Sequence, residues 1–245
     1  MPLEPETKQK IQLFLALAVL LAAARTAYIL YERHAAATQP DAKAAPPLNP
    51  DYYVTPKKFY AIDLKSAKEL AHQTVWVKEG YRIYYFPYEA ATHHADFAHP
   101  AGMLLPLQKL EVKDVVLDKA PDSGSQKQLM AIFEQAGKTF AFQIGTVEGS
   151  DYKVYADGIL FLEDPHELYK HWPPEIWDAI SRHEVKPGMS QMQVIFSAGV
   201  GLAQSAYDQN NLRYPNGGSP LLVTYDDNRK VTSVKPAPPE EQSSK

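Results

Sequence analysis

The chain contains no cysteine, and that absence removes several classes of site at once. Without a thiol there is no disulfide framework, no thiolate zinc site, no cysteine nucleophile and no lipidated cysteine anchor. An excess of positive charge is missing as well, because 25 basic and 29 acidic residues give a formal net charge of −4. A nucleic-acid-binding protein needs a basic face, so we predict no nucleic-acid partner.

Motifs for hydrolysis are also absent. The chain has neither a Gly-x-Ser-x-Gly elbow nor a His-Glu-x-x-His helix. The acidic pairs Glu163/Asp164 and Asp226/Asp227 lie in predicted turns, where carboxylates usually face solvent. We therefore predict that the chain is not an enzyme, with no catalytic residue, no cofactor, no bound metal and no small-molecule substrate.

The strongest signal that is present is an apolar stretch near the N-terminus. Residues 11–31 contain one charged residue, Arg25. At about 1.5 Å per residue this stretch is about 31 Å long as a helix, which is enough to cross a membrane. Arg25 lies roughly two helical turns from the C-terminal end of the stretch, so we expect its side chain to reach that interface. Tyr28 and Tyr31 would form part of an aromatic belt there.

Two other interpretations of this stretch remain open. The first is a cleaved signal peptide, with residues 11–24 as its apolar region and a cut near residues 22–24. Residues 28–31 extend the apolar segment beyond that cut and favour an uncleaved signal anchor. The second is a buried amphipathic helix, which is disfavoured because the segment is apolar on all sides.

Composition divides the chain into six parts. Pro and Ala dominate the segment after the apolar stretch, and Pro, Glu and Ser dominate the end, so neither can bury enough apolar surface to fold.

Lys8 and Lys10 precede the stretch and only Arg33 directly follows it, a slight positive-inside bias. We predict a single-pass protein of the bacterial inner membrane with its folded part in the periplasm. The parts are a cytoplasmic tail (1–10), a transmembrane anchor (11–31), a Pro/Ala linker (32–50), a mostly-β domain (51–165), an α/β domain (166–235) and a disordered tail (236–245).

The mostly-β domain is predicted from short runs of β-branched and aromatic residues separated by glycine turns. This pattern favours a small curled barrel. Residues 75–80, Val-Trp-Val-Lys-Glu-Gly, resemble the start of an SH3-like barrel, and the resemblance covers about residues 70–164. The predicted strands are 74–78, 82–86, 110–117, 128–135, 139–144, 152–155 and 159–162, after a short helix over 65–72.

A histidine-rich loop in this domain supplies the one candidate metal site. His93, His94, Asp96 and His99 place three imidazoles and a carboxylate within seven residues. Such ligands suit zinc or another transition metal. Adjacent histidines do not naturally face one ion, and residues 88–102 are equally typical of a polar connection.

The α/β domain begins with two predicted helices. Ile176, Trp177 and Ile180 form an apolar stripe, which indicates core positions. Ser190 and Gln193 fit a capping box that starts a helix over 191–198. We expect this helix to end at Gly199 and to bury Met192, Val194 and either Ile195 or Phe196. Strands are predicted at 211–214, 221–225 and 231–234.

A family resemblance follows from these residues. Residues 188–194, Gly-Met-Ser-Gln-Met-Gln-Val, resemble the Gly-Met-Thr/Ser-x-x-Gln-Val signature of the SmpA/OmlA family. Residues 221–231 resemble that family's closing hairpin, and the match covers about residues 176–235. The family includes a small lipoprotein of the outer-membrane β-barrel assembly machinery and shares a fold with β-lactamase inhibitor proteins. This chain lacks the family's acylated cysteine, and residues 198–202 replace its usual Leu-Gly-x-Pro.

The resemblance implies a non-catalytic α/β module that binds other envelope proteins. The predicted fold class is α+β: a transmembrane helix, an SH3-like β-barrel, and a two-helix module with three antiparallel strands. The predicted function is a membrane-anchored extracytoplasmic interaction or accessory protein, with membership of an envelope or membrane complex as one form of that role. The alternative is an envelope hydrolase or metal-binding protein that uses the 93–99 loop.

Overall fold

A computed structural model describes residues 5–38, 49–121, 123–205 and 208–238. Contacts divide the chain into two compact units, Met1–Tyr52 and Tyr53–Lys245. Residues 39–48 of the predicted linker and 239–245 of the predicted tail lie outside the described residues.

The first unit is dominated by one long helix, α1 (Pro5–Thr38). It begins six residues before the predicted anchor and continues seven residues beyond it, because Ala and Glu in the flanking segments are strong helix formers. The segment Leu13–His34 is long and apolar enough to span a membrane or to act as a signal anchor. No part of that apolar segment is buried, and Phe14 is 76% exposed.

The second unit opens with a short helical segment and an antiparallel sheet. Asp63 caps α2 (Leu64–Ala67), and a 3-10 turn (Lys68–Leu70) completes the predicted helix. Nine strands form the sheet in the part of the unit that the structure describes. They are β1 (Thr74–Val77), β2 (Tyr84–Glu89), β3 (His94–Ala95), β4 (Gly102–Met103), β5 (Lys109–Asp118), β6 (Lys127–Gln135), β7 (Lys138–Glu148), β8 (Asp151–Val154) and β9 (Leu160–Phe161).

The strand order is β3-β2-β7-β6-β5-β1-β9, with β4 paired to β2 and β8 paired to β7. The centre is the β6–β7 hairpin, in which Gln135 pairs with Lys138 across the predicted turn. Ala136 and Gly137 both have positive φ, as a two-residue hairpin turn requires. Leu70, Val75, Phe133, Phe142 and Ile144 are fully buried in the core below the sheet.

The sheet is not a closed barrel in the described part of the chain, so that element of the fold prediction is wrong. The strands on either side of the predicted 79–81 turn do not pair with each other. Tyr81 has a left-handed backbone (φ 61°), and its N–H donates to the Leu104 carbonyl (2.7 Å). Gly80 packs so closely on Pro106 that a Cβ there would lie 2.0 Å from the proline nitrogen. These contacts hold residues 80–81 against the 104–106 segment. Strand β2 then pairs on the far side of the sheet from β1.

Short helices lie around and after the last strand of the first sheet. Helix α3 (Ala156–Ile159) precedes β9, and α4 (Pro165–Leu168), α5 (Pro174–Ser181) and α6 (Gln191–Ala198) follow it. Helix α6 has the predicted bounds and the predicted capping box, and it ends at Gly199 (φ 86°). Val194 and Phe196 are buried as expected. Met192 is 39% exposed, so its predicted burial is wrong: the buried face of the helix contains Gln193, whose side chain turns inward to cap the helix.

A second antiparallel sheet completes the unit, with four strands among the described residues. They run in chain order: β10 (Leu202–Ser205), β11 (Asp208–Tyr214), β12 (Leu221–Tyr225) and β13 (Val231–Pro236). Strand β10 was not predicted, because all four of its residues are exposed and its sequence lacks alternation. Met189, Val194, Tyr214 and Val223 are fully buried in the second core. The α+β class with antiparallel sheets is confirmed.

Candidate functional site

The predicted histidine loop folds so that its four candidate ligands do not converge on one point. Strand β3 pairs with β2, and His93 lies in the turn between them with a positive φ of 54°. Its Nδ1 lies 3.5 Å from the Tyr88 hydroxyl. Asp96 instead pairs with His99 at 3.0 Å. No three His, Asp or Glu side chains in the described ranges form a group that could hold a metal ion.

His94 has a different partner, which sequence reasoning missed. Asp118 ends β5, and its side chain is only 4% exposed. Its carboxylate accepts hydrogen bonds from His94 Nδ1, Ala95 N–H and Lys119 N–H, each at 2.7 Å. A carboxylate can be buried when several donors replace its water shell. A bulge after Val112 shifts the register of β5, and this irregularity hid the inward position of Asp118 from the sequence pattern.

This contact defines the chemistry of the His94 ring. An ionised carboxylate only accepts hydrogen bonds, so Nδ1 is the donor and Nε2 of the neutral ring is the acceptor. A carboxylate orients histidines in this way in metal sites and in general-base catalysis. The ring is half-exposed and lines a cleft of about 420 Å³ with Tyr88, Glu89 and Thr92. The Thr92 hydroxyl donates to Glu89 (3.0 Å).

A second concavity, of about 250 Å³, lies where the 105–108 turn faces helix α5. We call it the Trp177 groove; its apolar lining includes Leu105, Leu107, Trp177 and Ile180. The turn is held by hydrogen bonds from Leu107 N–H to the Val77 carbonyl and from Leu105 N–H to the Gln108 side chain, both 2.8 Å. Leu107 has a positive φ of 54°, and Leu105 is 41% exposed at the rim.

The wall of the groove is an ordered aromatic pair. The His166 ring stacks on Trp177 with 4.1 Å between ring centroids. Asp164 fixes His166 by accepting hydrogen bonds from its backbone N–H and from Nδ1, both at 2.9 Å. Burial alone would raise the pKa of the Asp164 carboxyl, but these hydrogen bonds outweigh burial and lower that pKa. Trp177, predicted as a core residue, is therefore half-buried and presents part of its ring at the surface.

An apolar floor with a polar rim is typical of a surface that receives an apolar side chain of another protein. The rim is polar because His166, Ser181 and His183 also line the groove. The sequence signal for this site was the Ile176–Trp177–Ile180 stripe, which indicated burial but not the opposing turn.

No protein-family model, curated protein or solved structure matches the chain. Its function is therefore inferred from the geometry of the molecule.

Proposed function

We propose that the chain is a membrane-anchored extracytoplasmic interaction or accessory protein, held in a bacterial inner membrane by a single span. The observation that supports this most directly is the exposure of the span. All described side chains from Leu13 to His34 are exposed, among them large apolar ones such as Phe14, Leu20 and Leu30. An apolar surface of this size on every side of a helix is stable in a bilayer and not in water.

The orientation with the N-terminus in the cytoplasm follows from the two lysines before the span and the size of the unit after it. In this orientation Tyr53–Lys245 lies outside the cytoplasm. The partners are then other envelope or membrane proteins.

The family-like module is part of the same proposal. Helices α5 and α6 followed by antiparallel strands, with the Ser190–Gln193 capping box at α6, support an SmpA/OmlA-like arrangement within residues 166–235. The short strands from β1 onward support a distant, open relative of an SH3-like sheet. Both resemblances favour protein binding over catalysis.

Anchoring is tested by washing membranes that contain the full chain with alkaline carbonate. We expect the wild type to stay in the pellet. Leu17→Lys combined with Leu20→Lys should release it, because two added charges inside the apolar span oppose insertion. The matched control is Ile62→Lys, which makes the same kind of change at an exposed position of the folded unit. A wild type that washes off the membrane contradicts the proposal.

Orientation is tested by two fusions after Pro50. Alkaline phosphatase should be active there, and a cytoplasm-dependent fluorescent reporter should be dark. The opposite pair of results contradicts the extracytoplasmic placement.

The interaction role is tested at the Trp177 groove by amine-reactive crosslinking in native membranes. We expect crosslinked species larger than the monomer, which Leu105→Asp removes. Leu202→Asp is the control, since Leu202 is an exposed leucine of β10 outside the groove. A wild type that remains monomeric, or equal crosslinking in both variants, contradicts a partner at this groove.

A second candidate function is hydrolysis at the His94 cleft, favoured by the carboxylate-oriented His94 ring. Turnover of p-nitrophenyl acetate by the purified chain tests it. The hydrolase hypothesis requires that His94→Gln removes the activity and that His99→Gln retains it. Equal rates in both variants and the wild type exclude it for this ester.

A further inference from the structure

Two histidines line the Trp177 groove, and each has one ring nitrogen bound inside the chain. Nδ1 of His183 lies 3.0 Å from the Ser197 carbonyl oxygen, and Nδ1 of His166 lies 2.9 Å from the Asp164 carboxylate. A carbonyl and an ionised carboxylate only accept hydrogen bonds, so Nδ1 is the donor in both rings. The nitrogen that each ring has left for an occupant is Nε2, which accepts a hydrogen bond when the ring is neutral.

The other polar side chains of the lining are also committed inside the chain. The Ser181 hydroxyl donates to the Asp178 carbonyl (2.9 Å), so the lone pairs of its oxygen remain for an occupant. The Gln108 side chain is held at both ends, by the Leu105 N–H (2.8 Å) and by the Gln135 side chain (3.4 Å). The rim of the groove therefore presents mainly acceptors around an apolar floor, and a fitting segment brings an apolar side chain together with hydrogen-bond donors.

The surface around the groove is acidic. Residues 163–186, which include α4 and α5, contain six acidic and three basic residues, a formal net charge of −3 with neutral histidines. Two of the three basic residues, Arg182 and Lys186, pair with Glu184. The 105–108 turn that faces α5 contains no charged residue, and Lys109 follows it. Because opposite charges across an interface attract and like charges repel, the groove favours a basic partner segment.

We propose that the partner at the Trp177 groove presents a basic segment in which arginines flank an apolar residue. The apolar side chain fills the floor, and the guanidinium groups donate to Nε2 of His166 and of His183. Arginine suits this rim because it only donates hydrogen bonds and its planar head packs well beside aromatic rings. An anionic lipid surface is not the occupant, since the acidic surroundings repel it. The inference rests on the proposed interaction role and names the chemistry of the partner.

The test measures binding of labelled peptides to the full chain in neutral detergent micelles by fluorescence anisotropy. Three peptides share the frame Gly-Ser-X-Leu-X-Ser-Gly, in which X is arginine, citrulline or glutamate. Citrulline keeps the length of arginine and most of its N–H groups but is uncharged. In a fourth peptide X is arginine and the central leucine is replaced by alanine, which removes the apolar anchor.

We expect the arginine peptide to bind roughly tenfold more tightly than the glutamate peptide, and several-fold more tightly than the citrulline peptide. The alanine peptide should bind roughly tenfold more weakly than its leucine counterpart, because less apolar surface is buried against the floor. Raising the salt concentration should narrow the gap between the arginine and citrulline peptides, since salt screens exposed charges.

Variants of the chain locate the binding. Glu167→Gln combined with Asp178→Asn should narrow the same gap, because both carboxylates are exposed and each directly follows a groove residue in the chain. Asp227→Asn is the matched control, at an exposed carboxylate of the β12–β13 turn, and should behave like the wild type. Leu105→Ser should weaken binding of the arginine peptide, whereas Leu202→Ser, at an exposed leucine outside the groove, should not.

The outcomes separate this inference from the interaction role. Equal binding of the arginine and citrulline peptides overturns the basic partner, because charge then plays no part. Equal effects of Leu105→Ser and Leu202→Ser also overturn it, because the peptide then binds elsewhere. Crosslinks in native membranes that Leu105→Asp removes, together with no preference for the arginine peptide, overturn the basic partner and leave the interaction role intact. Absence of both the crosslinks and peptide binding overturns the two proposals together.

Discussion

The Nδ1 atom of His94 lies 2.7 Å from Oδ1 of Asp118, although three strands separate β3 from β5 in the sheet order. The contact exists because β3 and the residues just after it lie across one face of the sheet. Ala95 is fully buried there with Met130, Ile132 and Ala141, and Phe97 packs against them. The His94–Asp118 hydrogen bond therefore fixes β3 in place over this small cluster of buried side chains.

Asp118→Ala should destabilise the folded unit by about 2–4 kcal/mol. The substitution leaves the Ala95 and Lys119 N–H groups and the His94 ring without their acceptor. It also uncovers the cluster of buried side chains around Met130 that β3 covers. Urea unfolding of the full chain in detergent, followed by tryptophan fluorescence, measures the change.

The matched control is Asp96→Ala, which removes an exposed carboxylate paired with exposed His99. A pair of this kind contributes at most about 1 kcal/mol, so the two variants should differ clearly. Equal midpoints for Asp118→Ala and Asp96→Ala would show that the buried contact does not fasten the segment.

Local signals made part of this fold predictable from the sequence. Ser190, Gln193 and Gly199 specify where α6 begins and ends, and Gly137 specifies the β6–β7 hairpin, because each acts through neighbours in the chain. The apolar span was predictable for the same reason. Such features depend on residues within one or two turns of each other.

Other features depend on contacts between distant segments and could not be predicted. The alternative of a metal site rested on the closeness of His93, His94 and His99 in sequence, yet the fold gives these side chains different partners. The Trp177 groove requires the 105–108 turn to face α5, and no periodicity reports that approach. The close approach of Gly80 to Pro106, beside which β1 and β2 fail to pair, is equally non-local.

Two buried tyrosines should make the fold sensitive to alkaline pH. The hydroxyls of Tyr214 and Tyr225 share a hydrogen bond of 2.6 Å. Burial raises the pKa of Tyr214 to about 12, and burial also raises the pKa of Tyr225. The unfolded chain loses these protons near pH 10, while the folded chain keeps them. The two protonated tyrosines therefore contribute their full stabilisation of the folded chain below about pH 10, and this contribution is lost as pH rises toward about 12.

For Tyr214 alone this loss amounts to about 2–3 kcal/mol of unfolding free energy. The tyrosinate absorbance, recorded over the pH range in which the chain is still folded, measures the titration from which this loss follows. Tyr214→Phe should reduce the late part of the titration, and Tyr60→Phe should reduce the early part, because Tyr60 is largely exposed. The hypothesis fails if both variants remove signal at the same pH.

The capping box of α6 gives a prediction about local stability. The Ser190 hydroxyl accepts from the Gln193 backbone N–H (3.4 Å), and the Gln193 side chain accepts from the Ser190 N–H (2.7 Å). Ser190→Ala should cost about 1 kcal/mol, and Ser190→Asp should restore most of it. Ser181→Ala is the control, since that exposed hydroxyl donates to the Asp178 carbonyl within its own helix. Hydrogen exchange at the first amides of α6 reports the change, and equal protection in both alanine variants would contradict it.

Two glycines should respond in opposite directions to the same substitution. A Cβ at Gly80 would lie 2.0 Å from the backbone nitrogen of Pro106, and backbone cannot rotate away as a flexible side chain can. Gly80→Ala therefore has to move the turn that forms one wall of the Trp177 groove, at a cost of about 1–3 kcal/mol. Gly158 lies in α3, and a methyl group added there would meet no described atom within 4 Å. Gly158→Ala should stabilise the chain by about 0.4–1 kcal/mol, because alanine loses less backbone freedom on folding.

Thermal unfolding resolves both changes, since each kcal/mol shifts the midpoint by about 2–4 °C in a unit of this size. If Gly80→Ala unfolds at the wild-type temperature, the close approach of Gly80 to Pro106 is not a constraint on the turn. In that case the open arrangement of β1 and β2 needs another cause. A lower midpoint for Gly80→Ala together with a higher one for Gly158→Ala would show that the close contact at Pro106, and not glycine content as such, decides the effect of an added methyl group.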